Sequence, residues 1–428
     1  MTELLSPILK DGLRSPNFFN GRLVSGEDLT TEHDAAIERL ARLGQAVGSG
    51  VACGLWVKPG PAADKTDPPA LTVEAGLAVN RCGQTIKLAE PASVTLVRGR
   101  PSAETSVVGG QFRCCVPLKT GGRLTGDGVY VLTIAPATGR EGRAPVNGLS
   151  PESARCNSKY LVEGVQFNLI PIGDPSLTDN DFSATNLPFL RNRVAYKCFG
   201  VEELAAFTRD PFGADLKDYG LMDKLRKGEL LSDCEVPLAI VYWTAVKGIE
   251  FVDMWAVRRR VTLSGLSADW LPACISDRRL SEGEAMLQQF LRHWKDLLAQ
   301  GATPLLGDAR RYFSYLPSLG FLTLDGLPDP KSPDLTLFFA SMAFRDPVFV
   351  AGHSLVRMLR VAAAVAPIQL GTKELVWLYW IRENRGGGVS SGRSPSTPVI
   401  LFTSPHLSYE ADARFDADYF NFSNLAIY

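Results

Sequence analysis

The spacing of apolar residues changes along the chain and sets the expected elements. From Leu29, apolar positions recur at helical spacing through Ala36, Ile37, Leu40, Leu43 and Val47, with Glu32, Asp34, Glu38, Arg39 and Arg42 on the other face. This pattern predicts an amphipathic helix. Ser25 followed by Asp28 reads as its capping box, and Gly48 and Gly50 mark its end. At Val51 the period falls to two, as Val51, Cys53, Leu55 and Val57 alternate with Ala52, Gly54, Trp56 and Lys58. A strand with one buried face is expected there.

Short strand-like runs follow over 71–79, 85–88, 93–97, 129–135 and 162–170, with a Pro/Gly/Asp-rich insert over 59–69. Val236–Trp243 and Ile249–Val257 flank Lys247-Gly248 as a hairpin would. Ser281 with Glu284 predicts a second capped helix, whose stripe is Leu287, Phe290, Leu291, Trp294, Leu297 and Leu298 before Gly301. A third helix is expected over 355–366, then strands over 375–381 and 399–402 with a Gly-rich loop over 386–392 between them. No repeat or heptad array is read. The pattern predicts an α+β fold: β-rich and multi-domain, an N-terminal amphipathic helix packed on short antiparallel strands, and a more helical C-terminal half. The Pro/Asp/Asn-rich stretch over 171–186 suggests a boundary. The expected domains are 1–170, 187–275 and 276–428.

Composition narrows the function classes. A chain of 428 residues, 45% hydrophobic and 21% charged, can bury a sizeable core without metal or disulfide staples. With 45 basic and 46 acidic residues, net charge −1, no overall field draws it to nucleic acid. The opening Met1-Thr2-Glu3-Leu4-Leu5 lacks the basic and apolar segments of a secretory signal, and no run approaches the roughly 18 apolar residues of a membrane span. A cytoplasmic protein without membrane insertion is expected. The eight cysteines contain no C-x-x-C and are read as mostly small buried hydrophobes.

Candidate chemistry is sparse, and no catalytic, cofactor-binding or metal residues are assigned. The four histidines, His33, His293, His353 and His406, stand at no metal-ligand spacing. Gly352-His353-Ser354-Leu355-Val356 begins like a nucleophile elbow, but Val356 replaces the second glycine, so Ser354 is read as a helix N-cap. Gly48-Ser49-Gly50 follows a helix and opens a strand, the reverse of a dinucleotide loop. The carboxylates at 179–181, at Asp412, Asp416 and Asp418, and at Glu282 and Glu284 are read as solvated. Arg258-Arg259-Arg260 are expected to pair with carboxylates at a contact.

The segment from Phe18-Phe19-Asn20-Gly21-Arg22-Leu23 through Asp28-Leu29, then Gly48-Ser49-Gly50-Val51-Ala52-Cys53-Gly54-Leu55 and Glu74–Ile86, resembles a component family of phage-tail-like contractile injection systems. A lesser similarity runs to the type VI secretion baseplate protein that is itself like phage receptor-binding proteins. The match covers about the first ninety residues, and 316–322 and 378–384 look like further blocks of the same proteins. His33 departs from the Gln that the family often carries there. The resemblance implies a non-enzymatic particle component in a baseplate or fibre-attachment role, a homo-oligomer that binds other particle subunits. Phe18, Phe19, Gly21, Leu23, Asp28 and Leu29 are the expected interaction residues. A particle-borne effector or cell-wall hydrolase, and a carbohydrate-binding module presenting Trp243, Trp255, Trp377 and Trp380, are the alternatives.

Overall fold

The computed structural model describes residues 9–10, 12–60, 69–96, 127–142, 158–172, 186–210, 219–244, 247–262, 277–324, 327–330, 332–340, 342–385 and 398–407. The body of the 59–69 insert, most of the 171–186 stretch, the 386–392 loop, the carboxylates at 179–181 and 412–418, and Cys114, Cys115, Cys156 and Cys274 lie outside the described residues.

Helices and mostly antiparallel sheets combine into an α+β fold. Helix α1 (Gly26–Val47) starts at the expected capping box: Ser25 Oγ accepts from the Asp28 amide at 3.1 Å, and Asp28 Oδ2 accepts from the Ser25 amide at 3.0 Å. The strands β1 (Gly50–Gly54), β2 (Val57–Pro59), β3 (Ala70–Val73), β4 (Gly76–Val79), β5 (Thr85–Leu88) and β6 (Ala92–Thr95) form two three-stranded sheets, ordered β1-β4-β5 and β2-β3-β6. Helix α1 rests on the turn between β4 and β5. A Cβ on Gly44 would stand 2.0 Å from the Gly83 carbonyl oxygen, so this crossing is backbone against backbone.

The next layer is the sheet β10-β9-β7-β8, built from β7 (Gly128–Glu141), β8 (Tyr160–Pro171), β9 (Val236–Thr244) and β10 (Gly248–Asp253). Period-two alternation gives it two apolar faces. Leu132, Ile134, Val236, Leu238 and Val241 pack with Val51, Leu55, Val57, Leu71 and Ile86 of the small sheets. Val129, Val131, Ile170, Ile240 and Tyr242 face α2 (Leu187–Cys198), α4 (Leu221–Lys227) and the start of α5 (Asp277–Ala299). A register shift near Ala239 turns the adjacent Leu238 and Ala239 to the same layer, as a bulge does. Helix α3 (Val201–Arg209) follows α2 directly.

Helix α5 serves two cores. Ala285 and Met286 belong to the core just described, whereas Phe290, Trp294 and Leu297 pack against Leu322, Val376, Leu378, Trp380, Ile400 and Phe402 of the C-terminal sheet. That sheet contains β12 (Leu319–Thr323), β13 (Ala343–Phe344), β14 (Val348–Val350), β16 (Leu375–Ile381) and β17 (Val399–Thr403), and β11 (Tyr315–Leu316) pairs separately with β15 (Ile368–Gln369). Its other face, with Leu319, Trp377, Tyr379 and Leu401, is covered by Met358 and Ala362 of α6 (Gly352–Ala362). Strand β16 is therefore apolar throughout because both faces are buried.

Two expected helix starts shift. Helix α5 begins at Asp277, one turn before Ser281, because Ser281 donates to the Arg278 carbonyl at 2.9 Å and Glu282 accepts from Arg278 Nε at 3.0 Å inside the protein. Helix α6 begins at Gly352 with Ala351 as N-cap, and the Glu383 carboxylate, on the neighbouring short helix α7 (Arg382–Arg385), accepts from the Gly352 amide at 2.8 Å. Ser354 is thus a half-buried residue of the first turn, not the cap.

Candidate functional site

Two places collect side chains in a way that the core does not require: the outward face of α1 with its preceding turn, and a buried joint rich in arginine.

The turn before α1 is held from within. Arg22 donates to the Asn17 carbonyl at 2.7 Å, pairs with Asp28, and lies 5.9 Å from the centre of the Phe18 ring. The Ser25 amide and hydroxyl, and then Arg22, keep the Asp28 carboxyl below its ordinary value. Gly21 takes a positive φ of 90°, which gives the turn its sharpness. These contacts present apolar side chains to solvent: Phe18, Phe19 and Leu23 are exposed, Leu23 by 93%. They continue into Leu29, Leu40, Leu43 and Val47, of which Leu40 is 67% exposed.

Only Ala35 and Ala41 of α1 are buried. The fully buried contacts are therefore made by small residues, Ile37 is half-buried, and the large apolar residues Leu29, Leu40, Leu43 and Val47 point away. The exposed positions Leu29, His33, Ala36, Leu40, Leu43 and Val47 alternate steps of four and three, the spacing of a short coiled-coil seam. The stripe read from the sequence shares Leu29, Ala36, Leu40, Leu43 and Val47 with this seam but counts Ile37, which is half-buried, in place of His33, and its period carried no direction, since a core-facing and a partner-facing stripe repeat alike.

The second place lies between β1, α4, the segment after β10 and the start of α5. Asp223, buried to 2% exposure, is the hub: Arg81 Nη2 donates to Oδ1 at 2.9 Å, Arg278 Nη1 to Oδ2 at 2.6 Å, and the Tyr219 amide to Oδ2 at 3.2 Å. Glu282 accepts from the Tyr219 hydroxyl at 2.8 Å and from Arg278. Burial alone would raise Asp223, yet the Arg278 and Arg81 guanidiniums hold it below the usual carboxylate range. Arg278, stacked 4.0 Å over the Tyr219 ring, is pushed up by Glu282 and Asp223 against burial. Arg226 is held less well. It is pushed down to about 10 by burial and by neighbouring Arg81, and its Nη1 reaches Asp223 only at 3.5 Å. A cavity of about 90 Å³ opens beside these groups.

The triple arginine resolves into three roles. Arg260 alone meets the carboxylate expectation, donating to Glu284 at 2.8 Å. Arg258 donates to the carbonyls of Leu55 at 2.9 Å and Gly54 at 2.5 Å, with its guanidinium 4.4 Å over Trp56. It thereby clamps two consecutive positive-φ residues, Gly54 at 60° and Leu55 at 55°. Arg259 donates to the carbonyls of Trp255, Arg258 and Ala256 and lies over Phe199. Buried carbonyls, invisible in a sequence, compete with carboxylates for guanidinium donors.

Other sequence candidates separate. Glu282 is buried in the network and Glu284 is at the surface, so the pair does not converge and Glu282 is not solvated. Trp377 and Trp380 are buried and Trp243 and Trp255 half-buried, so they form no exposed aromatic face. Cys198 is a buried thiol pushed up to about 12 by burial, but Cys53 is exposed and Cys234 is disulfide-bonded, with the Cys82 sulfur 3.5 Å from it. Of the four described cysteines, Cys198 fits the reading as a small buried hydrophobe, whereas Cys53 is exposed, Cys82 half-buried and Cys234 engaged in a disulfide. Among the described residues no group of His, Cys, Asp and Glu is placed to hold a metal ion, and no helix is long and apolar enough to cross a membrane. A scan of the chain against protein-family models finds no match, and a search of curated proteins finds none either.

Proposed function

We propose that this chain is a non-enzymatic structural and assembly component of a phage-tail-like contractile injection particle, in a baseplate or fibre-attachment role. It folds in the cytoplasm, forms a homo-oligomer and binds neighbouring particle subunits through the amphipathic α1 and the aromatic turn before it, while the small sheets carry that helix. The particle reading rests on the resemblance of residues 18–29 and 48–55. The binding reading rests on one observation: Phe18, Phe19, Leu23, Leu29, Leu40, Leu43 and Val47 are all exposed on one turn and helix. Contiguous apolar surface of this kind marks interaction sites, and its four-three spacing suits another helix.

Size-exclusion chromatography with light scattering tests this, on the chain alone and co-expressed with candidate baseplate subunits. A discrete oligomer or stable co-complex is expected, and Leu40→Glu with Leu43→Glu should disperse it by weakening association at least about 100-fold, the cost of burying charge in an apolar seam. A monomer that joins no neighbouring subunit, or assembly untouched by the double substitution, overturns the proposal.

A further inference from the structure

Strand β8 is the last of its sheet, and half of it runs out beyond the other strands. β9 pairs with β7 only from Gly128 to Ile134, whereas β7 and β8 stay in register out to Glu141 and Tyr160. Residues 135–141 and 160–166 thus form a two-stranded arm, with no third strand beside it among the described residues. Such a ribbon is marginal in water by itself. Its far end is nevertheless apolar: Tyr160, Leu161 and Val162 are exposed by 54%, 54% and 43%. Alternation sends Leu161 to one face and Tyr160 and Val162 to the other, so neither face can cover all three. An open strand edge with apolar side chains is a template for a further strand.

The two edges of the arm differ. On β7, Pro136 has no amide to donate, whereas β8 keeps a donor at every position from Tyr160 to Ile170. The charges of β8 then select the partner. Lys159 and Glu163 are exposed, fall on the same face as Leu161, and enter no ion pair among the described residues; Lys159 lies 5.0 Å from the centre of the Tyr160 ring instead. When a second β8 is laid antiparallel with Leu161 opposite Leu161, each Lys159 meets a Glu163 and each Tyr160 meets a Val162. Parallel in-register pairing would set Lys159 against Lys159 and Glu163 against Glu163, which is destabilising. We infer that β8 is a self-complementary docking edge, and that its occupant is the β8 strand of a second copy of this chain, antiparallel about a two-fold axis at Leu161. The surface shares no residue with α1 or its turn and does not rest on the reading given to them.

Oxidative cross-linking of the full chain carrying Leu161→Cys reads the axis directly. Residues opposite one another across antiparallel strands have Cβ atoms about 5 Å apart, within reach of a disulfide, whereas Val162 meets its copy only diagonally, at about 7 Å. A covalent dimer well above the yield of the unaltered chain is expected from Leu161→Cys and not from Val162→Cys. Adding Glu163→Lys should slow the cross-linking about 10-fold by setting like charges opposite at both ends of the pairing, and Lys159→Glu on top of it should restore the rate. Adding Leu40→Glu with Leu43→Glu instead should leave the dimer in place, which separates this edge from the α1 seam. A Leu161→Cys dimer no greater than that of the unaltered chain, an equal yield from Val162→Cys, a charge swap that fails to restore the rate, or loss of the dimer with the α1 substitutions overturns the inference.

Discussion

His293 shows how much one buried side chain can set. It lies on α5 against Phe313, 2% exposed, with neither ring nitrogen hydrogen-bonded among the described residues. Burial first, and then the neighbouring Arg191 guanidinium, hold it well below the ordinary imidazole value. A histidine kept neutral in the fold but free to protonate once unfolded makes the unfolded chain bind more protons in acid. Its contribution is therefore complete above pH about 6.5 and is lost as pH falls below that, by up to about 1.4 kcal/mol per pH unit. Urea midpoints between pH 7 and pH 5 should fall more steeply in the natural chain than in His293→Leu, and equal slopes would refute this assignment. Legibility at this scale follows sequence distance. Ser25 and Asp28 are three apart and could be read as a cap, whereas Arg191 meets Asp253 at 2.8 Å and Asp296 at 2.8 Å from opposite ends of a long stretch of chain, and no spacing rule signals that. The same holds for Arg226, whose surroundings come from four separate segments.

At the scale of elements, α1 is the informative case. Its attachment depends on Gly44 meeting Gly83 without side chains between them, supported by Gln45 donating to the Cys82 carbonyl at 3.2 Å. Gly44→Ala places a methyl 2.0 Å from a backbone oxygen that cannot move independently, so α1 should lift from the turn at a cost of about 1–3 kcal/mol. Hydrogen exchange should accelerate across α1 while β7 and β9 stay protected, and Gly26→Ala, with nothing within 4 Å, is the control that should stay within about 0.5 kcal/mol of the natural chain. Unchanged α1 protection in Gly44→Ala would contradict the close crossing. The strands over 375–381 and 399–402 were readable almost to the residue because apolar runs between breakers leave few alternatives. The start of α5 was not, because Ser281 and Glu284 imitate a capping box from inside the helix, where Ser281 donates to the Arg278 carbonyl and Glu284 pairs with Arg260.

At the scale of the whole molecule, α5 binds the layers into one cooperative unit. It lends Ala285 and Met286 to one core and Phe290, Trp294 and Leu297 to the next, and Gln289 donates to Asp253 at 2.9 Å beside Arg191. Asn192 of α2, fully buried, accepts from the amides of Ser314 and Tyr315 and donates to the Tyr315 carbonyl. Neither core closes without the helix they share, so calorimetry should record a single transition for the described layers, with equal calorimetric and van't Hoff enthalpies. Two separated transitions would show that the sheets fold independently. The layer order was not readable, because the α+β pattern gives each element a buried face without naming its neighbour. The Arg258 clamp has a longer reach. Leu55 tolerates its left-handed backbone because a guanidinium more than two hundred positions later grips both carbonyls of the turn and stacks on Trp56. Over evolutionary time Gly54, Leu55, Trp56 and Arg258 are thus free to change only together, and a lineage that loses the arginine gains most by acquiring a glycine at position 55.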